Sequence, residues 1–198
     1  SRKSGRPVKI SLDRAEVFQC TGPTSGGIVK AKIGATKEGK FTAATCNVYL
    51  DAGAYPGSFI ENACNTAYAP YDIPNLQLMG YDIVTNKPKT GAYRAPGTPN
   101  SALAVETAVD EISKKLKIDP VDLRLQNAAD EGSRKADGTI YPAIGMIQTA
   151  NSVLEHQHYS EPLPKPSSKS FKVGRGIAFG YSGNINGAAT VIANVVQD

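Results

Sequence analysis

The segment Thr90-Gly91-Ala92-Tyr93-Arg94-Ala95-Pro96-Gly97-Thr98-Pro99 brings together residue types able to do ligand chemistry. Its two glycines and two prolines give the backbone a special path. It joins an extended stretch to the start of a strongly amphipathic helix. Backbone N–H groups at such a start, with the helix dipole behind them, suit an anionic ligand. Arg94 adds a fixed cation with planar donors for oxo or phosphate groups. The same composition also makes a rigid structural turn. Other chemistry-bearing residues are less promising. His156 and His158 stand two apart; on a helix they point about 200° from each other and cannot share a metal, although on a strand they could. Asp110 and Glu111 are adjacent, so on a helix they diverge into surface charges. No nucleophile elbow, phosphate-binding Walker loop or complete dinucleotide fingerprint occurs, and Gly174-x-Gly176 follows a linker as a plain strand start.

The elements around that loop follow from periodicity. Residues 7–12, 28–35 and 41–50 alternate apolar and polar side chains and read as strands, the latter two as a hairpin closed around Gly39. Asp13 opens a short helical turn over 14–18, and 58–67 reads as a helix. Residues 75–84 are extended. The clearest helix spans 100–116, capped by Asn100 or Thr98. It has Leu103, Val105, Val109, Ile112 and Leu116 on one face, with Glu106, Asp110, Glu111, Lys114 and Lys115 on the other. Asp119-Pro120 starts another helix with an N-cap and a first-position proline. A further helix covers 143–156, residues 161–170 form a Pro/Ser linker, and 171–181 and 188–197 read as strands. The domains expected are therefore 1–160, the linker 161–170, and 171–198 as the opening of a second unit. Two strands cannot bury their own apolar faces, so the sequence reads as truncated at both ends.

Composition bounds the rest. The 198 residues allow one domain or one and a half, and 40% hydrophobic content supports a core. The net charge of +4 is scattered among acids rather than gathered in a basic stripe, which argues against nucleic-acid binding. Cys20, Cys46 and Cys64 are far apart and show no zinc or iron–sulfur spacing. They fit a reducing compartment and a cytoplasmic location, with Cys46 as a small core residue. No signal peptide and no apolar run of roughly 18 residues is present, so no membrane span is expected.

Four blocks resemble the molybdenum-binding subunits of xanthine dehydrogenase/aldehyde oxidase-type molybdenum hydroxylases. They are Gly5-Arg6-Pro7-Val8-Lys9-Ile10 with Asp13-Arg14-x-Glu16; Asp51-Ala52-Gly53-Ala54-Tyr55; Gly91 to Gly97 followed by Glu106 and Asp110-Glu111; and Asp119-Pro120-Val121-Asp122-Leu123-Arg124-Leu125-x-Asn127. They stand in the family's order and span residues 5 to about 185. The resemblance implies an α+β fold of mixed or antiparallel strands packed with a few helices around a molybdopterin cofactor, often in its cytosine dinucleotide form. It implies hydroxylation of a purine, aldehyde or N-heterocycle by a water-derived oxygen, or in one branch reductive removal of an aromatic hydroxyl. Electrons would leave through [2Fe–2S] clusters and FAD on partner subunits or domains.

Carried over by position, the resemblance makes Arg94, Tyr93 and Ala95 cofactor-contacting. It sets Pro96 where purine-oxidising members stack a phenylalanine on substrate, and Asn62 near where they place a substrate-orienting arginine. Ala95 stands where carbon monoxide-oxidising members keep a copper-binding cysteine, so no copper-bridged site is expected. The family's upstream Phe-Gly-Gly segment, its downstream Gly-Gln-Gly segment and its Gly-x-Gly-Glu catalytic base find no match here. No catalytic residue and no metal ligand is therefore assigned, and the isolated chain is expected to be an inactive wall of a cofactor pocket. Two other readings are the non-catalytic half of a split subunit or scaffold, favoured by a native terminus near Ser1, and a basic nucleic-acid-binding module, favoured by steeply salt-dependent binding.

Overall fold

The computed structural model describes residues 1–183. Its centre is β2 (Phe41–Gly53), the longest strand. Every second residue from Ala44 to Ala52 is buried, with Cys46, Val48 and Leu50 inaccessible to solvent. β1 (Gly27–Ala35) pairs antiparallel with β2 through the hairpin expected around Gly39. β3 (Asn75–Val84) pairs with β2 in parallel, in the sheet order β1-β2-β3. The parallel pair demands a crossover, which carries α2 (Ile60–Thr66). The sheet is thus mixed, and the α+β expectation holds.

Helices cover one face. α3 (Thr98–Leu116) packs on β1, β2 and α2, and α4 (Pro120–Gln126) packs on α3. Asp119 caps α4 as its sequence signals, its Oδ1 accepting from the Val121 N–H at 2.8 Å. Asn127 locks this helix to the hairpin: its amide donates to the Gly39 and Leu123 carbonyls at 2.9 and 2.8 Å and accepts from the Phe41 N–H at 2.8 Å. α5 (Met146–Glu155) and the single turn α6 (Gln157–Ser160) follow. α1 (Arg14–Cys20) carries a reciprocal capping box between Asp13 and Glu16.

Four expectations need correction. Residues 7–12 form no strand: they find no pairing partner among the described residues, and Val8 and Ile10 lie exposed. Residues 171–181 have no regular structure, while 188–197 lie outside the described residues. Neither Asn100 nor Thr98 caps α3; Gly97 holds that position without a side chain. Finally, α3 is rotated relative to its apparent apolar stripe. Val105 and Val109 are buried, but Leu103 is 75% exposed and Glu106 only 6%.

Glu106 is buried because α4 supplies its counter-charge. Arg124, wholly inaccessible, donates through Nε to Glu106 Oε2 at 2.9 Å and through Nη2 to Asp110 Oδ1 at 2.8 Å. Tyr71 donates its hydroxyl to Glu106 Oε1, and the Phe179 N–H donates to Oε2 at 2.8 Å. Burial and the neighbouring carboxylate push the Tyr71 hydroxyl well above its ordinary range, so it stays a donor. Truncating one partner of a buried pair strands the other charge. Arg124→Ala should therefore destabilise the chain by roughly 3–5 kcal/mol in urea unfolding. Lys115→Ala, on the exposed side, should stay within about 0.5 kcal/mol. A loss below about 1 kcal/mol for Arg124→Ala would contradict the network's role.

Candidate functional site

Because β2 and β3 run parallel, their carboxyl ends lie at one edge of the sheet, the edge where open parallel sheets commonly place ligands. The chain leaving β3 folds back over this edge before entering α3. Thr85 N–H donates to Gly53 O at 2.9 Å, Ala54 N–H to Lys87 O at 2.9 Å, and Thr90 N–H to Ala52 O at 3.1 Å. Gly53, at φ 75°, is needed here: a Cβ would lie 2.2 Å from the Pro88 carbonyl oxygen. On the far side, Gly91 N–H donates to Pro23 O at 2.9 Å.

Two carboxylates pin the approach. Asp51 accepts from Lys87 Nζ at 2.8 Å, from Thr85 Oγ1 at 2.6 Å and from Gly53 N–H at 2.9 Å. These bonds, Lys87's foremost, hold its carboxyl down at about 2. Asp82 accepts from the Gly57 and Ser58 N–H groups at 2.6 and 3.1 Å. Partial burial opposes its ionisation, but the hydrogen bonds outweigh this and keep it below the usual carboxylate range. Lys89 Nζ donates to Gly57 O at 2.7 Å, joining the same turn to the loop.

The loop itself presents Tyr93, Arg94 and Ala95 to solvent, with Pro96 half-buried. Ala95 has φ 54°, a left-handed conformation costly for a residue with a Cβ. Arg94 makes no hydrogen bond or ion pair among the described residues. Immediately after it begins α3, 19 residues long, with no side-chain cap and no acid in its first turn. The Thr98 N–H donates to the Ala95 carbonyl at 3.1 Å and Pro99 has no N–H, so the Asn100 N–H is the first-turn donor left at the positive end of the helix among the described residues. The arrangement joins an uncommitted guanidinium, a strained backbone and an open helix start at the carboxyl edge of a parallel strand pair.

Asn62, from α2, reaches this loop. Its side-chain amide donates to Pro96 O at 2.5 Å and to Thr98 Oγ1 at 3.3 Å, and Thr66 Oγ1 lies 3.2 Å from the same hydroxyl. The five sequence-selected residues thus share one surface, with Tyr93, Arg94, Ala95 and Pro96 on the loop and Asn62 bracing it. The anchors Asp51, Asp82, Lys87 and Lys89 were not selected from sequence. Their only advance signal was the Asp51 block, which marks the position without revealing its partners. His156 and His158 stay apart from the loop: His156 Nδ1 accepts from the His158 N–H at 3.1 Å. Among the described residues, no cluster of three or more His, Cys, Asp or Glu could hold a metal ion, and no helix is long and apolar enough to cross a membrane. Cys46, pushed up to about 11 chiefly by burial, is an inert core thiol.

Fold and loop together define an α+β module with an exposed, arginine-bearing loop at its sheet edge. Comparison with known proteins gives this class a family. Residues 1–128 match the molybdopterin cofactor-binding domain, and the chain belongs to that family. It is 30% identical over 154 residues to the nicotinate dehydrogenase large molybdopterin subunit of Eubacterium barkeri, covering 76% of this chain and 36% of that one. Among solved structures it resembles quinoline 2-oxidoreductase from Pseudomonas putida 86, with TM-score 0.68, 25% identity, and coverage of 78% of this chain and 21% of that chain. It also resembles the aldehyde oxidoreductase of Desulfovibrio gigas, with TM-score 0.66, 27% identity, and coverage of 71% and 16%. The chain therefore spans about a third or less of the length of these relatives.

The Asp51 anchor is pH-sensitive. Its pKa in the fold lies below the ordinary aspartate value near 3.9. Its contribution is thus complete above about pH 4 and lost as pH falls towards about 2. Protection of the backbone amides at residues 85–90, measured against their intrinsic exchange rates, should fall over that window, and Asp51→Asn should show the reduced protection already at neutral pH. Equal rates in both proteins at pH 7 would show that Asp51 does not hold the loop.

Proposed function

We propose that this chain is one wall of the cofactor pocket in a molybdopterin-dependent oxidoreductase subunit, and that Tyr93, Arg94 and Ala95 contact the cofactor. The observation that carries the reading is the uncommitted Arg94 beside the uncapped start of α3. These donors fit the group: molybdopterin carries phosphate, and its cytosine dinucleotide form, proposed here, carries two. Bound, the cofactor supplies two-electron redox chemistry for hydroxylation with water as oxygen source. Arg94 offers charged, planar donors, and the Asn100 N–H in the first turn of α3 offers a dipole-backed donor beside them. Asn62 keeps Pro96 and Gly97 in place, so Pro96 meets a small purine, aldehyde or N-heterocycle substrate in a fixed position. Asn62's side-chain amide oxygen is left to accept from that substrate, its backbone carbonyl already accepting from Thr66 Oγ1.

The same reading includes a longer, cytoplasmic subunit working with [2Fe–2S] and FAD partners, in which 1–160 and 171–198 belong to successive subdomains around the linker 161–170. Contacts of the later segment are consistent with subdomains that meet. Arg175 donates to the Tyr159 and Glu161 carbonyls at 2.7 and 2.6 Å, and Phe179 reaches Glu106. Residues 1–198 alone would turn over no substrate.

Charge-assisted hydrogen bonds contribute about 1.5–3 kcal/mol, so Arg94→Ala in the full-length subunit should weaken cofactor retention roughly ten- to a hundredfold. Molybdenum content and the fluorescence of the oxidised pterin read this directly. Arg94→Lys, which keeps charge but loses the planar fork, should fall between the two. Full molybdenum and pterin content in Arg94→Ala would overturn the assignment.

A further inference from the structure

In the β1–β2 pairing, Gly26 and Asp51 stand opposite each other, and the Asp51 N–H donates to the Gly26 carbonyl at 2.8 Å. Antiparallel ladders alternate, so the residues of β1 bonded to β2 are Ile28, Lys30, Lys32 and Gly34. The N–H and C=O groups of Val29, Ala31 and Ile33 consequently point outward from the sheet. β1 is an edge strand among the described residues, and nothing described there pairs with these groups. An unpaired edge of this length is a template for another strand.

The space beside that edge has the shape such a strand needs. A groove of about 490 Å³ runs between β1 and α3. Small residues form part of its lining, Gly27 and Ala31 from the strand and Ala104 and Ala108 from the helix; Leu103 joins them, and Thr107 and Glu111 add polar groups. Leu103 belongs to the apolar stripe of α3 by spacing, yet is 75% exposed. An apolar side chain at a core register, next to unpaired backbone and small neighbours, marks a covered position. On the opposite, exposed face of the strand stand Ile28, 62% exposed, Lys30, whose ammonium lies 5.7 Å from the centre of the Tyr49 ring, and Lys32.

We infer that a fourth strand, supplied by the remainder of the parent polypeptide, pairs with the outer edge of β1. It lays small or apolar side chains onto Leu103, Ala104 and Ala108, and acidic ones beside Lys30 and Lys32. The source rests on the reading of this chain as part of a longer subunit, since the relatives are about three or more times its length. The chemistry rests on the edge, the groove and the lysines.

Hydrogen–deuterium exchange on the cofactor-free, full-length polypeptide tests this, and its readout does not depend on molybdenum binding. The Val29, Ala31 and Ile33 amides should exchange as slowly as those of Lys30 and Lys32, at least about tenfold slower than unpaired edge amides, independent of protein concentration. Ala31→Pro removes only an outward donor, and should speed exchange at Val29 and Ile33 while sparing Lys30 and Lys32. The surface variant Lys30→Glu/Lys32→Glu should do the same through like-charge repulsion. Fast exchange at the outward amides would overturn the inference. So would protection that appears only at high protein concentration, which means a second copy, or only on adding a separate subunit.

Discussion

At Gly97 the first turn of α3 meets α2 backbone to backbone. A Cβ there would stand 2.4 Å from the Phe59 carbonyl oxygen and 3.0 Å from the Ala63 nitrogen, and φ is 82°. Only glycine permits that approach. Its consequences run in both directions along the chain. Behind it, Pro96 and Ala95 are brought within reach of Asn62, and the loop is forced through the left-handed turn at Ala95 that leaves Arg94 outward. Ahead of it, α3 starts without a capping side chain; the Thr98 N–H turns back to the Ala95 carbonyl and Pro99 has none, so Asn100 supplies the first-turn donor left over among the described residues. The course of the loop and the exposure of Arg94 are therefore tied to helix–helix contact.

A second constraint fixes the far end of the same helix. Glu106 and Asp110 share the buried Arg124, so α3 is clamped by charge to α4 while it is clamped by close contact to α2. The Tyr71 hydroxyl and the Phe179 N–H complete the coordination of Glu106, leaving its oxygens satisfied without water. Asn127 then carries α4 to the β1–β2 turn. Loop, sheet and helices thus form one connected frame, in which residues 91–97 are held between Gly22-Pro23 at one end and residues 59–63 at the other.

Much of this was legible beforehand where local chemistry decides. The alternation in β1 and β2, the Asp13 and Asp119 caps and the long α3 pattern each announced the element that formed. The loop was recognisable because Gly, Pro and Arg carry conformational and charge information in themselves. What sequence could not show was every feature decided by a distant partner. Glu106 reads as surface until Arg124, 18 positions on, is known to sit beneath it. Leu103 reads as core because spacing is blind to where the sheet ends. Residues 7–12 alternate well but have no neighbour to pair with among the described residues. Asn62, singled out for facing substrate, proves to hold the loop through the Pro96 carbonyl, a role visible only once α2 and α3 are placed together.

The central claim is that residues 91–97 and the start of α3 receive the anionic cofactor. A crystal structure of the full-length, cofactor-loaded subunit, with anomalous data at the molybdenum edge to locate the metal independently, tests it most directly. The account predicts cofactor atoms within hydrogen-bonding distance of Arg94 or of the backbone N–H groups of this loop, with the molybdenum peak on the same side of the sheet edge. A molybdenum peak and pterin density held wholly by other segments, with Arg94 still pointing into solvent, would contradict it.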